Sequence, residues 1–401
     1  MKTKKAFQVS FVLIAAVFCC HKLIAQESRI QYPAALKNSY YGINIGYINY
    51  PFSSKQLEAG NTVGSISVPH TALRLTLYGK EINKYVSARI TYMRPVSWVL
   101  YKNVNGDNAE HSVWMNVGGL TIAARLPVQK KLSLNAEAGF GLITRKGFSK
   151  NNIPIVKNAT YGTALLGGAL QYHINNKWNL QFSTAWSPAH AKDKQPRTVF
   201  FGAGFNYHMR ELSPDIIERN AKAGNHFPKH SITAGVSSNV LGYGVNNFVS
   251  GKIPIFWGGD AHIKLGFSLN YQRNIFHTKK VFALDLGATV AILKSRDNGE
   301  NFFAASVYPV LLFNAFRTKG ADIFFEYAVA GPAFISKTIL DDKKTGKNFT
   351  FHDFMGMGVV AGKKRNLMAG LRIAHYSNGN IYPENAGLKI PLSLNLGYVL
   401  K

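Results

Sequence analysis

Apolar and polar residues alternate along most of this chain, in segments of about ten residues separated by glycine, asparagine and lysine. Because side chains of a β-strand point alternately to opposite faces, this period of two predicts strands rather than helices. We count eight such segments up to Met209, beginning with "YYGINIGYINY" and ending with "TVFFGAGFNYHM". Eight more follow between Ser231 and Leu400, from "SITAGVSSN" to "IPLSLNLGYVL". The pattern predicts an all-β, antiparallel fold.

The first residues have the features of a secretory signal peptide. Three lysines precede the apolar run "VSFVLIAAVFCC", and "LIA" ahead of Gln26 is a plausible cleavage site. We therefore predict a signal peptide over residues 1–25. Both cysteines of the chain, Cys19 and Cys20, lie inside it, so we expect no disulfide in the mature protein.

The composition agrees with an exported membrane barrel. No later apolar run reaches the roughly 18 residues of a transmembrane helix. Aromatic residues make up 12% of the chain and charged residues only 17%, with 36 glycines. Alternating segments with this composition are typical of outer-membrane β-barrels, so we predict the bacterial outer membrane as the location.

The two sets of strands predict two domains. A polar segment, "RELSPDIIERNAKAGNHFPKH", separates them and could hold a short helix with Ser213 as its N-cap and Gly224 as its stop. We predict an N-terminal barrel over residues 26–210, a linker over 211–229 and a C-terminal barrel over 230–401. Two tandem eight-stranded barrels are the leading prediction, and one barrel of about sixteen strands is the alternative.

The stretch "LRIAHYSNGN" carries a histidine and a serine at the end of the second-to-last hydrophobic segment of the chain. Alternation places Leu371, Ile373, His375 and Ser377 on the lipid-facing side, and Arg372 towards the lumen. The segment runs from the short turn "GKKR" into a long connection. Because such barrels have short periplasmic turns and long outer loops, we expect His375 and Ser377 at the extracellular rim.

A serine needs a base to become a nucleophile, and histidine can be one near neutral pH. The motif His-x-Ser alone is a weak signal, since an interfacial histidine beside a serine at a loop is common. The residues that follow carry more information. "HYSNGN", then "PENAG", then a final strand resembles the PagL-type lipid A 3-O-deacylase family, also known through bacterial acyloxyacyl hydrolases. The resemblance covers about residues 230–401, and residues 26–210 lack the motif.

The resemblance implies an outer-membrane esterase that hydrolyses an ester-linked acyl chain of lipid A. It implies Ser377 as nucleophile and His375 as base, with Asn378 or Asn385 and backbone amides of the glycine-rich loop stabilising the oxyanion. The family pattern expects an acidic residue where this chain has Lys389. Alternation assigns Lys389 to the face away from His375. Glu384, in the same loop, is the preferred substitute for the acid, and Asp353 on the preceding strand is the second.

The missing acid leaves an alternative open, a non-enzymatic outer-membrane barrel with a structural or adhesive role. A passive porin is less favoured, because eight strands leave no wide lumen. The formal charge of +27 favours anionic partners, and for an exported barrel these are lipopolysaccharide and the membrane rather than nucleic acid. His208, His226 and His230 lack metal-site spacing, so we expect neither metal nor cofactor.

Overall fold

Two closed antiparallel barrels make up the structure, a computed structural model that describes residues 30–223, 225–252 and 259–400. The predicted signal peptide with its cysteines, and Gly224, lie outside the described residues. Each barrel contains eight strands, as the leading prediction had it, and the single sixteen-stranded barrel is wrong.

The N-terminal barrel closes through the pairing of β6 with β7, and its strand order is β6-β4-β3-β1-β12-β11-β10-β7. Short strands β2, β5, β8 and β9 extend its outer loops. Two short 3₁₀ helices, Ser54–Gln56 and Ala191–Asp193, lie in the connections between β1 and β2 and between β11 and β12. The strands are β1 (Ser39–Asn49), β2 (Ser65–Ser67), β3 (Thr71–Glu81), β4 (Val86–Pro95), β5 (Val99–Val104), β6 (Asp107–Gln129), β7 (Leu132–Lys146), β8 (Phe148–Lys150), β9 (Ile153–Val156), β10 (Ala159–His173), β11 (Trp178–Ser187) and β12 (Thr198–Met209).

Helix α1 (Pro214–Ala221) connects the barrels, within the predicted linker. Ser213 takes the extended N-cap backbone, and proline opens the helix. The sequence analysis missed a second helix, α2 (Gly244–Lys252), in the first outer loop of the C-terminal barrel. No helix in the described ranges has the length and apolar character needed to cross a bilayer.

The C-terminal barrel closes through the pairing of its first and last strands, β13 and β22. A small hairpin of β18 and β19 lies in the loop between β17 and β20. The strands are β13 (His230–Ser238), β14 (Ala261–His277), β15 (Phe282–Ser295), β16 (Asn301–Arg317), β17 (Ala321–Ile335), β18 (Ile339–Leu340), β19 (Lys343–Lys344), β20 (Phe349–Ala361), β21 (Leu367–Ser377) and β22 (Leu388–Leu400).

The two faces of each barrel wall differ in polarity. Polar residues fill the lumens: Glu137 pairs with Arg74 and Arg89 in the first barrel, and Glu326 pairs with Arg372 in the second. Large apolar side chains project outward and are exposed on both barrels, including Ile45, Leu120, Phe140, Ile292, Phe325 and Leu396. Closure of each barrel pairs the backbone groups of all its strands, and the apolar exterior is compatible with lipid. Both barrels therefore have the features of membrane-spanning barrels.

Candidate active site

The hairpin of β20 and β21 in the C-terminal barrel holds the candidate catalytic residues. Strands β20 and β21 pair in a register that sets Asp353 directly opposite His375, and Phe351 opposite Ser377. Arg372 is buried against Glu326 in the lumen, whereas Leu371 is exposed on the outer face. The predicted faces of β21 are therefore confirmed, with His375 and Ser377 on the outside of the barrel wall.

His375 is only 1% exposed although it faces outward. Its Nδ1 lies 3.7 Å from Oδ2 of Asp353, whose side chain is 19% exposed. This separation is that of an ion pair and is longer than a hydrogen bond. Catalytic contacts are often this loose before substrate binds. At this distance Asp353 can orient the imidazole.

A bulge in β17 holds Asp353 in place. The register of β17 with β20 shifts between Ala328 and Gly331, which leaves Ala330 with a left-handed φ of 45°. The backbone N–H of Ala330 donates a hydrogen bond to Oδ1 of Asp353. Because Oδ1 is occupied by this donor, Oδ2 is the oxygen directed to His375.

The loop after Ser377, residues 378–387, is called the site loop below. Asn378 is fully buried, and its side-chain amide donates to the backbone oxygens of Glu384 (2.6 Å) and Thr345 (3.2 Å). The backbone N–H of Asn378 donates to Oδ1 of Asn385 at 3.0 Å, and Asn385 donates to Oδ1 of Asn380 at 2.7 Å. These bonds make Asn378 and Asn385 the residues that hold the site loop together.

The segment that follows the hairpin of β18 and β19 packs against the site loop. Gly346 has a φ of 104°, and a Cβ there would lie 2.4 Å from Nδ2 of Asn378 and 2.7 Å from the oxygen of Glu384. Only glycine allows this approach. Gly346 and Thr345, whose backbone oxygen accepts from Asn378, therefore support the site loop.

The structure corrects the predicted face of Lys389. The register of β21 with β22 shifts between Arg372 and Ala374, and beyond that shift Lys389 lies directly opposite His375. Directly opposite residues share a face, so Lys389 and His375 are on the same side. The shift adds one residue to β22, and an added residue reverses the alternation of faces beyond it. The sequence carries no signal of this irregularity.

Among the described residues, the carboxylate recorded beside His375 is that of Asp353. Glu384 takes part through its backbone oxygen, which accepts a hydrogen bond from Asn378. That the Glu384 carboxylate is the third catalytic group stays a prediction. The geometry favours the second choice of the sequence analysis, Asp353, which a strand register holds in place.

Helix α2 covers the outer wall just below His375. Val249 packs with Ile373 in a buried cluster that Tyr327, Met355 and Leu392 adjoin. Asn246 donates to the backbone oxygen of Ile390, which ties the helix to β22. Burial raises the pKa of Tyr243, just before the helix, to about 12, so its hydroxyl stays protonated and can donate to the backbone oxygen of Ile263. Val249, Ile373 and Met355 thus form an apolar surface next to the site, called the apolar floor below.

A second serine–histidine pair, which the sequence analysis missed, lies inside the same barrel. The hydroxyl of Ser306 is 2.8 Å from Nδ1 of His352, and both residues are buried in the lumen. The cavity that His352 borders measures about 40 Å³. A volume of this size holds about one water molecule and excludes an acyl chain. This pair is therefore part of the packed lumen.

No group of three or more histidine, cysteine or acidic side chains in the described residues could hold a metal ion. One wall of the membrane barrel carries a serine, an outward histidine and a carboxylate.

Comparison with known proteins points to one family. Residues 250–398 match the family model of lipid A 3-O-deacylase (PagL). The C-terminal barrel resembles PagL. Lipid A deacylase PagL of Bordetella bronchiseptica is 30% identical over 106 residues, which cover 26% of this chain and 56% of that relative. The chain thus matches little more than half of the length of this PagL relative.

Solved structures of small outer-membrane barrels also match. The crystal structure of the outer membrane enzyme PagL is 20% identical, with a TM-score of 0.29, and the match covers 42% of this chain and 97% of that one. The N-terminal barrel domain of Pseudomonas aeruginosa OprF is 14% identical, with a TM-score of 0.27, over 43% of this chain and 98% of that one. The predicted resemblance to PagL is confirmed by the family model and the curated relative, and the protein is an outer-membrane barrel protein.

Proposed function

We propose that the C-terminal barrel is an esterase that removes an ester-linked acyl chain from lipid A in the outer leaflet. The observation that carries this proposal is the outward, buried His375, which has Asp353 beside Nδ1 and Ser377 two residues along the same face. A catalytic group on the outside of a membrane barrel meets substrates that are themselves lipids. The match to the lipid A 3-O-deacylase family supports lipid A as that substrate.

In the proposed reaction Ser377 attacks the acyl carbonyl while His375 takes the hydroxyl proton. Asp353 accepts from Nδ1 of His375, which fixes the tautomer whose Nε2 lone pair accepts the serine proton, and it stabilises the imidazolium. The tetrahedral oxyanion is stabilised by backbone amides of the site loop near Gly379. His375 then protonates the departing sugar hydroxyl. Water, deprotonated by His375, hydrolyses the acyl-serine and releases the fatty acid.

The apolar floor beside the site supports an acyl substrate. Ile373 and Met355 lie two residues below His375 and Asp353 on the same outer face, and Val249 of α2 packs against them. An acyl chain leaving the bilayer core would pass along this surface at little cost, because both environments are apolar.

Release of fatty acid from purified lipid A by the full-length protein in detergent tests the proposal. We expect the parent to convert lipid A to a species one acyl chain lighter, and Ser377→Ala to release none. Ser306→Ala is the matched control, because it removes the other histidine-bonded serine of this barrel and should leave the rate unchanged. Equal release of fatty acid by the parent and by Ser377→Ala would reject Ser377 as the nucleophile.

A further inference from the structure

The site loop of the C-terminal barrel makes contact with the N-terminal barrel. Nδ2 of Asn116 donates a hydrogen bond to the backbone oxygen of Asn380 at 3.3 Å. The hydroxyl of Thr144 donates to the backbone oxygen of Ile381 at 2.8 Å. Both donors are side chains of the first barrel, and both acceptors lie within four residues of Ser377.

Asn116 and Thr144 form one opposed pair of neighbouring strands, β6 and β7. They share the outward face with Leu120 and Phe140, which are 61% and 54% exposed, yet Asn116 is 3% exposed and Thr144 is buried as well. A polar side chain on the lipid face of a barrel is unfavourable unless it is bonded. Here the two polar groups are matched by two backbone carbonyls of the site loop.

The barrels also touch near their periplasmic ends. The ring of Tyr32, ahead of β1, lies 4.7 Å from the ring of Phe276 on β14. Leu284 joins them in a buried cluster, and Met209 packs against it. Contacts at both ends fix how one barrel is turned against the other. The site loop therefore rests on a fixed surface.

The contacts reach Ser377 through a short chain of bonds. Gly379 and Asn380 both have left-handed φ angles, 60° and 58°, which form a tight turn directly after Ser377 and Asn378. Asn380 accepts from Asn385, which in turn accepts from the backbone N–H of Asn378. Holding the carbonyls of Asn380 and Ile381 thus holds the residue that follows the proposed nucleophile.

We propose that the N-terminal barrel positions the site loop, and that Asn116 and Thr144 are positioning residues for hydrolysis at Ser377. This inference rests on the proposed function and gives the first barrel a part in it. The barrel without the catalytic motif acts as a fixed partner that keeps the backbone around the nucleophile in one conformation. Such preorganisation affects the rate at saturating substrate more than substrate binding.

Thr144→Val tests this inference, since valine keeps the shape and removes the hydrogen-bond donor. We expect the rate at saturating lipid A to fall about tenfold. Thr144→Ser keeps the hydroxyl and should restore the rate to within about twofold of the parent, an outcome that a general packing defect would not produce. Thr160→Val is the matched control, because Thr160 is the exposed partner of Thr144 on β10 and should be silent.

Chymotrypsin cleavage after Tyr382 reports on the docking itself, independently of any hydrolase activity. We expect faster cleavage in Thr144→Val and parent-like cleavage in Thr160→Val. If Thr144→Val does not fold, Asn116→Ala replaces it, and we expect faster cleavage in that variant too. Parent-like cleavage and parent-like hydrolysis in both loop-contact variants would overturn the inference. A parent that releases no fatty acid would reject the proposed function alone, and the cleavage experiment would still decide whether the loop is docked.

Discussion

The seventh strands of the two barrels, β11 and β21, have equivalent positions and different rims. Each runs to the outer rim and pairs with the last strand of its barrel. The outward face of β11 ends in Thr184 and Trp186, and Trp186 is 38% exposed. The outward face of β21 ends in His375 and Ser377. A tryptophan at this depth is typical of the aromatic girdle of a membrane barrel.

The lumens of the two barrels, in contrast, are alike. A buried glutamate meets arginine in both, Glu137 with Arg74 and Arg89, and Glu326 with Arg372. The shared fold therefore fixes the lumen and the depth of the rim, whereas the proposed chemistry depends on three outward residues, Asp353, His375 and Ser377, and on the site loop. This agrees with the general rule that function lies in sites placed on folds.

His375→Ala should have the largest effect among these predictions. We expect the hydrolysis rate to fall about a thousandfold or more, because nucleophile and base act as a unit. Trp186→Ala, at the equivalent rim of the other barrel, should leave the rate unchanged. Fatty-acid release by purified protein measures both, and heat-modifiable migration on gels checks folding. An equal loss in the two variants would mean that the rims of the barrels do not differ in function.

Asp353→Asn should come next, with a rate about a hundredfold lower, because the imidazole would lose the carboxylate that sets its tautomer. Glu384→Gln should lower the rate by no more than about threefold, since the observed role of Glu384 is carried by its backbone oxygen. Rates at saturating lipid A decide between them. The opposite ranking would return the third role to the site loop.

The fragment 226–401, expressed alone, separates the barrels physically. It should fold in detergent, because its eight strands close without the first barrel. Its hydrolysis rate should be about tenfold below that of the full chain, since the hydrogen bonds from Asn116 and Thr144 are missing. Full activity of the fragment would show that the two barrels are joined without acting together.

Lys389→Ala should have the smallest effect. Lys389 lies opposite His375, but it is part-exposed at the rim, where water and counter-ions weaken charge interactions. We expect the rate to change by less than about threefold. A fall of tenfold at low substrate, with the saturated rate intact, would instead indicate that Lys389 holds an anionic group of the substrate.

The strands and their faces could be predicted from the sequence because alternation is a local property. It correctly placed Arg372 in the lumen and His375 outside, and it counted the sixteen barrel strands. The irregularity opposite Arg372 and Ala374 escaped, since a shift of one residue depends on both partners of the pair. For the same reason the predicted face of Lys389 was wrong.

The parts of the site built from distant segments could not be predicted in the same way. Asp353 was ranked second because only the register and the bulge at Ala330 reveal how it is held. The contact of Thr144 with Ile381 joins residues 237 positions apart, and on its own strand Thr144 has no distinguishing pattern. Helix α2 escaped because its short sequence, "GVNNFVSGK", lacks a clear apolar period.

Labelling with a fluorophosphonate, which reacts with activated serines, tests the central claim most directly. After digestion of the labelled full-length protein, mass spectrometry should find the adduct on Ser377. The adduct should be lost in His375→Ala, because the histidine activates the hydroxyl. Serines of the N-terminal barrel and Ser306 should stay unmodified. A parent that releases fatty acid from lipid A while its adduct lies on another serine, or nowhere, would contradict the account.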